Sequence, residues 1–167
     1  MAGDLTPNQM FTHEFNPVKG WPSPYALDKS AAWDSNETGI VRGMVLSLDA
    51  SGNFVKGEST SGAVAVFAIS GQDEFDANSD IGNISGGVLS GLVSLGGFEI
   101  QTSEYVDAAY AVNQCLTYAT AGDIGKVTGG VAYTNTVVGV VTADAAANEH
   151  GISVLTFWTA WLPKTPA

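Results

Sequence analysis

Leu46-Ser47-Leu48-Asp49-Ala50-Ser51-Gly52-Asn53-Phe54-Val55-Lys56 returns seventy residues later as Leu116-Thr117-Tyr118-Ala119-Thr120-Ala121-Gly122-Asp123-Ile124-Gly125-Lys126. Leu, Gly and Lys recur, Asn53 is answered by Asp123, and Phe54 by Ile124. Further on, Val64-Ala65-Val66-Phe67 is answered by Val138-Gly139-Val140-Val141 after a small shift in spacing. Each copy, within residues 40–70 and 110–143, reads as a strand, a Gly turn, a short strand and a buried apolar strand. Two copies are too few for a solenoid, which needs three or more repeats to bury its faces. The pair therefore predicts one closed or folded-over β structure.

The flanking sequence has the same texture. Ile40 to Leu48 alternates imperfectly around Gly43, Asp49 to Asn53 supplies a turn, and Ala63 to Ile69 is an apolar run suited to a strand buried on both faces. Gly86 to Gly97 is apolar but broken by glycines, and Phe98 to Thr102 alternates as a half-exposed strand does. Ser103 to Val112 is compatible with a helical turn capped by Ser103, with a strand or with a loop. Val137 to Thr142 and Ile152 to Trp158 read as further strands, and Pro163 and Pro166 end regular structure. Roughly seven to nine short strands with Gly turns predict an all-β fold, a small antiparallel β-barrel or β-sandwich.

Residues 1–39 differ. Pro7, Pro17, Pro22 and Pro24 remove backbone donors and fix φ, which excludes a regular helix or a central strand. The aromatics Phe11, Phe15, Trp21, Tyr25 and Trp33 are spaced between them, unlike the composition of plain disorder. An extended arm is expected, able to span on the order of 130 Å, that packs either on its own domain or on a neighbouring subunit. The expected organisation is thus an arm over 1–39, a β-rich domain over 40–162 and a short tail over 163–167.

Charge and chemistry narrow the function. The net charge is −11, and the six basic residues are scattered, so there is no footprint for a phosphate backbone or an anionic membrane. Nucleic acid and membrane are not expected partners. Neither a signal-peptide pattern nor a membrane-spanning apolar run is evident, so synthesis in a cytoplasm is expected. Cys115 alone forms no intrachain disulfide and reads as a small apolar residue. The acidic stretch Gln72 to Asp80 lacks the ligand alternation of a calcium loop. His13-Glu14 and Glu149-His150 make no metal spacing, and Gly87-Val88-Leu89-Ser90-Gly91 misplaces serine for a nucleophile elbow. A non-enzymatic protein with no cofactor and no metal is expected.

The run Ile40-Val41-Arg42-Gly43-Met44-Val45-Leu46-Ser47-Leu48-Asp49, then Gly52, then Ala65-Val66-Phe67, resembles the capsid decoration (cement) proteins of tailed bacteriophages. The second half is similar through Phe98-Glu99-Ile100-Gln101-Thr102, Leu116-Thr117, Val138 to Val141 and Ile152 to Trp158, with Gln114 near the position of Gly43. The likeness covers residues 40–162 and rests on strand patterns. It implies a β-tulip-like body on the outer surface of an expanded phage head in the virion. The major capsid protein would be its partner, with other copies of itself in a homotrimer. Phe11, Phe15, Trp21, Tyr25 and Trp33 would then lash it to neighbours. A tail, baseplate or fibre component is one alternative. A carbohydrate-binding β-sandwich that stacks sugars on Trp158 and Trp161 is another.

Overall fold

The computed structural model describes residues 13–19, 28–72 and 88–165. Its strands begin with β1 (Phe15–Lys19), β2 (Asp28–Ala32), β3 (Val45–Leu48), β4 (Phe54–Lys56), β5 (Val66–Ala68) and β6 (Val88–Val93). They continue with β7 (Glu99–Thr102), β8 (Cys115–Tyr118), β9 (Val127–Gly129), β10 (Val137–Ala147) and β11 (Ser153–Leu162). All strand pairs are antiparallel, in a five-stranded sheet ordered β2-β6-β5-β3-β4 and a six-stranded sheet ordered β1-β7-β11-β10-β8-β9. The expected all-β sandwich is what the chain forms. Of the three conformations open to Ser103 to Val112, the chain adopts the loop, with a single bridge at Tyr105.

Without β1, the two sheets are one unit used twice. In the first unit (β2 to β6) and the second (β7 to β11), the strands lie in the order first, fifth, fourth, second, third. The registers also agree. Val45 pairs with Phe67 and Phe67 with Leu92, as Cys115 pairs with Val140 and Val140 with Trp158. Backbone hydrogen bonds outside the ladders repeat as well. Gly43 N donates to Ala68 O and Asn113 N to Val141 O, each at 2.8 Å. Gly57 N donates to Val45 O and Gly130 N to Cys115 O, each at 3.0 Å. After the first strand of each unit, Trp33 bridges Phe54 and Tyr105 bridges Val127. These single bridges curl each sheet without closing a barrel.

The repeat corrects three alignments made from sequence, one of them in the apolar strand, where Phe67 corresponds to Val140, not Val141. Leu48 pairs with Phe54 and Tyr118 with Val127, so the second turn is three residues longer and Phe54 corresponds to Val127, not Ile124. The counterpart of Gly43 is Asn113, not Gln114. Both lie in the left-handed region, at φ 87° and 71°, which asparagine tolerates better than most residues.

The N-terminal segment is not a separate arm where it is described. β1 pairs with β7 along the edge of the second sheet, and β2 is the edge strand of the first. Pro17 is accommodated because an edge strand need not donate on both sides, and the register shifts beside it. The body therefore starts well before Ile40. The strand expected from Ile40 starts only at Val45, since the positive φ of Gly43 breaks the extended chain. In the turn that follows, the Asp49 carboxylate accepts Ser51 N and Asn53 N, both at 2.8 Å. The backbone bond from Asn53 leads the effects that hold this carboxyl below its ordinary range.

Two apolar cores result. One lies on the curled inner face of the first sheet, where Leu46, Val66, Ala68 and Leu89 meet Trp33, Ile40 and Phe54. The other joins the sheets: Val45, Phe67 and Leu92 from the outer face of the first pack with Ile100, Leu116, Tyr118, Leu155 and Phe157 of the second.

Gly43 is the tightest point of this joint. A Cβ there would collide with Thr102 Oγ1 and lie 2.8 Å from Glu14 O. Gly43→Ala should lower unfolding stability by about 2 kcal/mol or more, measured by denaturant titration. Asn113→Gly, at the exposed equivalent, should stay within about 0.5 kcal/mol of the parent. Equal effects at both positions would contradict the tight packing assigned to Gly43 alone.

Candidate interaction surface

At one end of the molecule, buried polar groups clamp the N-terminal segment. His13 Nδ1 lies 2.7 Å from Glu104 Oε1, which also accepts Ser103 Oγ at 3.1 Å. Glu14 N donates to Ser103 Oγ at 2.9 Å. The Glu14 carboxylate accepts Asn16 Nδ2 at 2.8 Å and a second bond from Asn148 Nδ2. Glu14 and Glu104 are both buried. Burying a carboxylate is costly unless donors replace its water, and here each carboxylate has donors. With Arg42 and His150, the cluster surrounds a cavity of about 200 Å³. His13 and Glu14 thus share one cavity with His150, far away in sequence, while Glu149 lies outside it. Among the described residues no group of three His, Cys, Asp or Glu side chains is arranged to hold a metal ion.

A cleft of about 370 Å³ runs between the two units, lined in part by Lys56, Glu58, Tyr118, Ile124, Thr136 and Lys164. Glu58 Oε1 accepts Thr136 Oγ1 at 2.5 Å and Gly62 N at 2.7 Å, tying the β4–β5 loop to the start of β10. Tyr118 Oη donates to Ala63 O at 3.1 Å. Burial first, and then the charge of Glu58, push the Tyr118 phenol far above its ordinary value.

The aromatic residues expected to lash neighbours divide between two outcomes. Phe15 and Trp33 are each only 6% exposed and belong to this chain's own cores. Phe15 stacks on Phe67 at 6.4 Å, and Trp33 packs with Phe54. Most of their apolar area is thus taken up by this chain's own domain, one of the two packings expected for the arm. Phe11, Trp21 and Tyr25 lie outside the described residues.

Among the described residues, exposed large apolar side chains are spread over the surface at Val18, Val88, Val112, Ile124 and Trp158, and four more lie on segments near the end of β11. Leu95 is 55%, Val131 66% and Tyr133 65% exposed, and Trp161 is also exposed. The segments that carry them are bonded together. Ser94 Oγ donates to Val138 O and Ala160 O, Thr165 N to Tyr133 O, and Trp161 Nε1 to Gly62 O. Tyr133 holds φ 67° at a turn, a conformation that disfavours a bulky side chain. An exposed aromatic ring held in such a conformation makes this turn a candidate contact point. The sequence signal for it was faint: an aromatic residue inside the polar turn between Gly130 and Asn135.

Comparison with known protein families, curated proteins and solved structures gives no match.

The Tyr118 environment has a consequence at alkaline pH. In the unfolded chain its phenol ionises near about pH 10, while in the fold it stays protonated. Its contribution is therefore intact below that pH and lost as pH rises above it. Denaturant titrations between about pH 8 and 11.5 should show wild type losing up to about 1.4 kcal/mol per unit above pH 10 from this group. Tyr118→Phe should remove that share of the slope and leave the parts due to Tyr110, whose phenol burial also raises, and to Lys126, whose ammonium is raised by its hydrogen bond to Asp123. An unchanged slope would mean that Tyr118 ionises freely within the fold.

Proposed function

We propose that this chain is a capsid decoration protein, which binds the outer surface of an expanded phage head and braces it by bridging neighbouring capsid subunits. The observation that carries this reading is the set of exposed apolar side chains Leu95, Val131, Tyr133 and Trp161 on a cross-bonded β-body. A cement must be stiff and must touch several subunits at once, so that many modest contacts act in parallel. The two joined sheets supply the stiffness, and the loop tips supply apolar anchors of the type that dominates interface energetics. The resemblance of the strand patterns to those of decoration proteins supports the same reading. The net charge of −11 suits a protein held at high local density on a particle without sticking to nucleic acid. Its partners are the major capsid protein and further copies of itself. Binding alone stabilises the shell by mass action, with no catalysis and no cofactor.

The test is co-sedimentation of the full chain with expanded, decoration-free capsids of the cognate phage. Wild type should bind saturably at a fixed ratio to the capsid subunit. The double variant Val131→Asp, Tyr133→Asp should keep its circular dichroism spectrum and lose at least about tenfold in affinity. Failure of folded wild type to bind would overturn the proposal and favour a tail or carbohydrate-binding role.

A further inference from the structure

The two units are stacked head to tail within the chain, and this leaves an unmatched face at each end. The outer row of the first unit, Val45, Phe67 and Leu92, is fully or almost fully buried against the inner face of the second. There Phe67 meets Phe157 at 5.4 Å between ring centres. By register, the same row in the second unit is Cys115, Val140 and Trp158. None of these three belongs to a core cluster, and Trp158 is 38% exposed.

The receiving side is unmatched in the opposite sense. Ile100, Tyr118, Gly139 and Thr159 lie on the second unit's inner face, which accepts Phe67 and Leu92. Their register equivalents in the first unit are Lys29, Leu48, Val66 and Val93. These four residues, with the 60–64 loop, line an open groove of about 260 Å³. Among the described residues the chain thus carries an outer row without a seat and, with the buried Val66 at its floor, a seat without an outer row.

We infer that a second copy of this chain fills the groove. Cys115, Val140 and Trp158 of one molecule seat against Lys29, Leu48, Val66 and Val93 of the next, repeating between chains the joint that exists within each one. The occupant is indicated by the fold itself, because the same row of the same unit already sits on the equivalent face. Charge agrees. Lys29 is the one basic residue lining the groove, and beside Trp158 in register on the incoming sheet Glu99, paired within its own chain with Lys19 at 3.6 Å, brings a carboxylate to the same edge. A joint between two different faces is heterologous, so it grows beyond a dimer, either closing into a ring or running on as a filament. This contact does not depend on the capsid reading. Capsid binding by a strict monomer would contradict the contact alone, and self-association without capsid binding would contradict the decoration role alone.

The heterologous geometry has a specific signature. Sedimentation velocity of the full chain up to about 1 mM, which reaches contacts as weak as millimolar, should show concentration-dependent species larger than a dimer. Trp158→Ala, which removes the incoming row's ring, and Lys29→Glu, which places a carboxylate in the groove against the incoming apolar row, should each be monomeric. Both changes lie at incompletely buried positions, and each variant should keep the parent melting temperature. Mixed one to one, the two variants should give heterodimers and nothing larger, since each keeps one intact face. Monomeric wild type across this range would overturn the inference, as would association unchanged by both substitutions.

Discussion

The seating of Phe67 against Phe157 and Phe15 is the contact on which the rest of the molecule depends. It joins the outer face of one sheet to the inner face of the other, and it brings β1 into the same core. Burying such a ring contributes about 2–3 kcal/mol by transfer alone. Around it, Thr102 Oγ1 donates to Gly43 O at 2.8 Å and Val45 N to Gly125 O at 2.7 Å. These bonds satisfy backbone groups that the joint would otherwise leave without water. Aromatic packing and hydrogen bonding thus act at one place to make two small sheets a single stiff body.

The duplication explains which differences between the units matter. Where Phe67 and Leu92 are sealed inside, their counterparts are Val140 and Trp158 on an exposed face. Where Gly43 is wedged under Thr102 and Glu14, its counterpart Asn113 is exposed and can carry a side chain. Ser94, buried and donating to two carbonyls across the joint, is replaced in the second unit by Ala160. Each change follows from whether that copy of the unit faces its sibling or faces outward.

Much of this was legible in the sequence. Leu46 with Leu116 and Gly52 with Gly122 disclosed the repeat, because strand–turn–strand units need an apolar residue and a glycine at fixed places. The register beyond the turn was not legible. Three extra residues between Tyr118 and Val127 shift every later match, and Gly125 and Lys126 happen to preserve a local likeness to the first copy. β1 and β2 were obscured for a different reason. Pro17 and the polar run Asp28-Lys29-Ser30 argue against a central strand, but both strands lie at or next to sheet edges, where proline and polar residues are tolerated. Phe15 and Trp33 consequently read as free anchors when they are core residues. Tyr133 gave little signal because its exposure follows from the turn it occupies and not from its neighbours in the chain.

Native-state hydrogen exchange on wild type and Phe67→Ala would test the central claim most directly, since that substitution removes the ring at the joint and nothing from the ladders. If the two units form one cooperative body, the amides of β10 and β11 around Val141 and Phe157 should lose protection together with those of β5. Loss confined to the first sheet, with the second sheet's amides unchanged, would contradict the account.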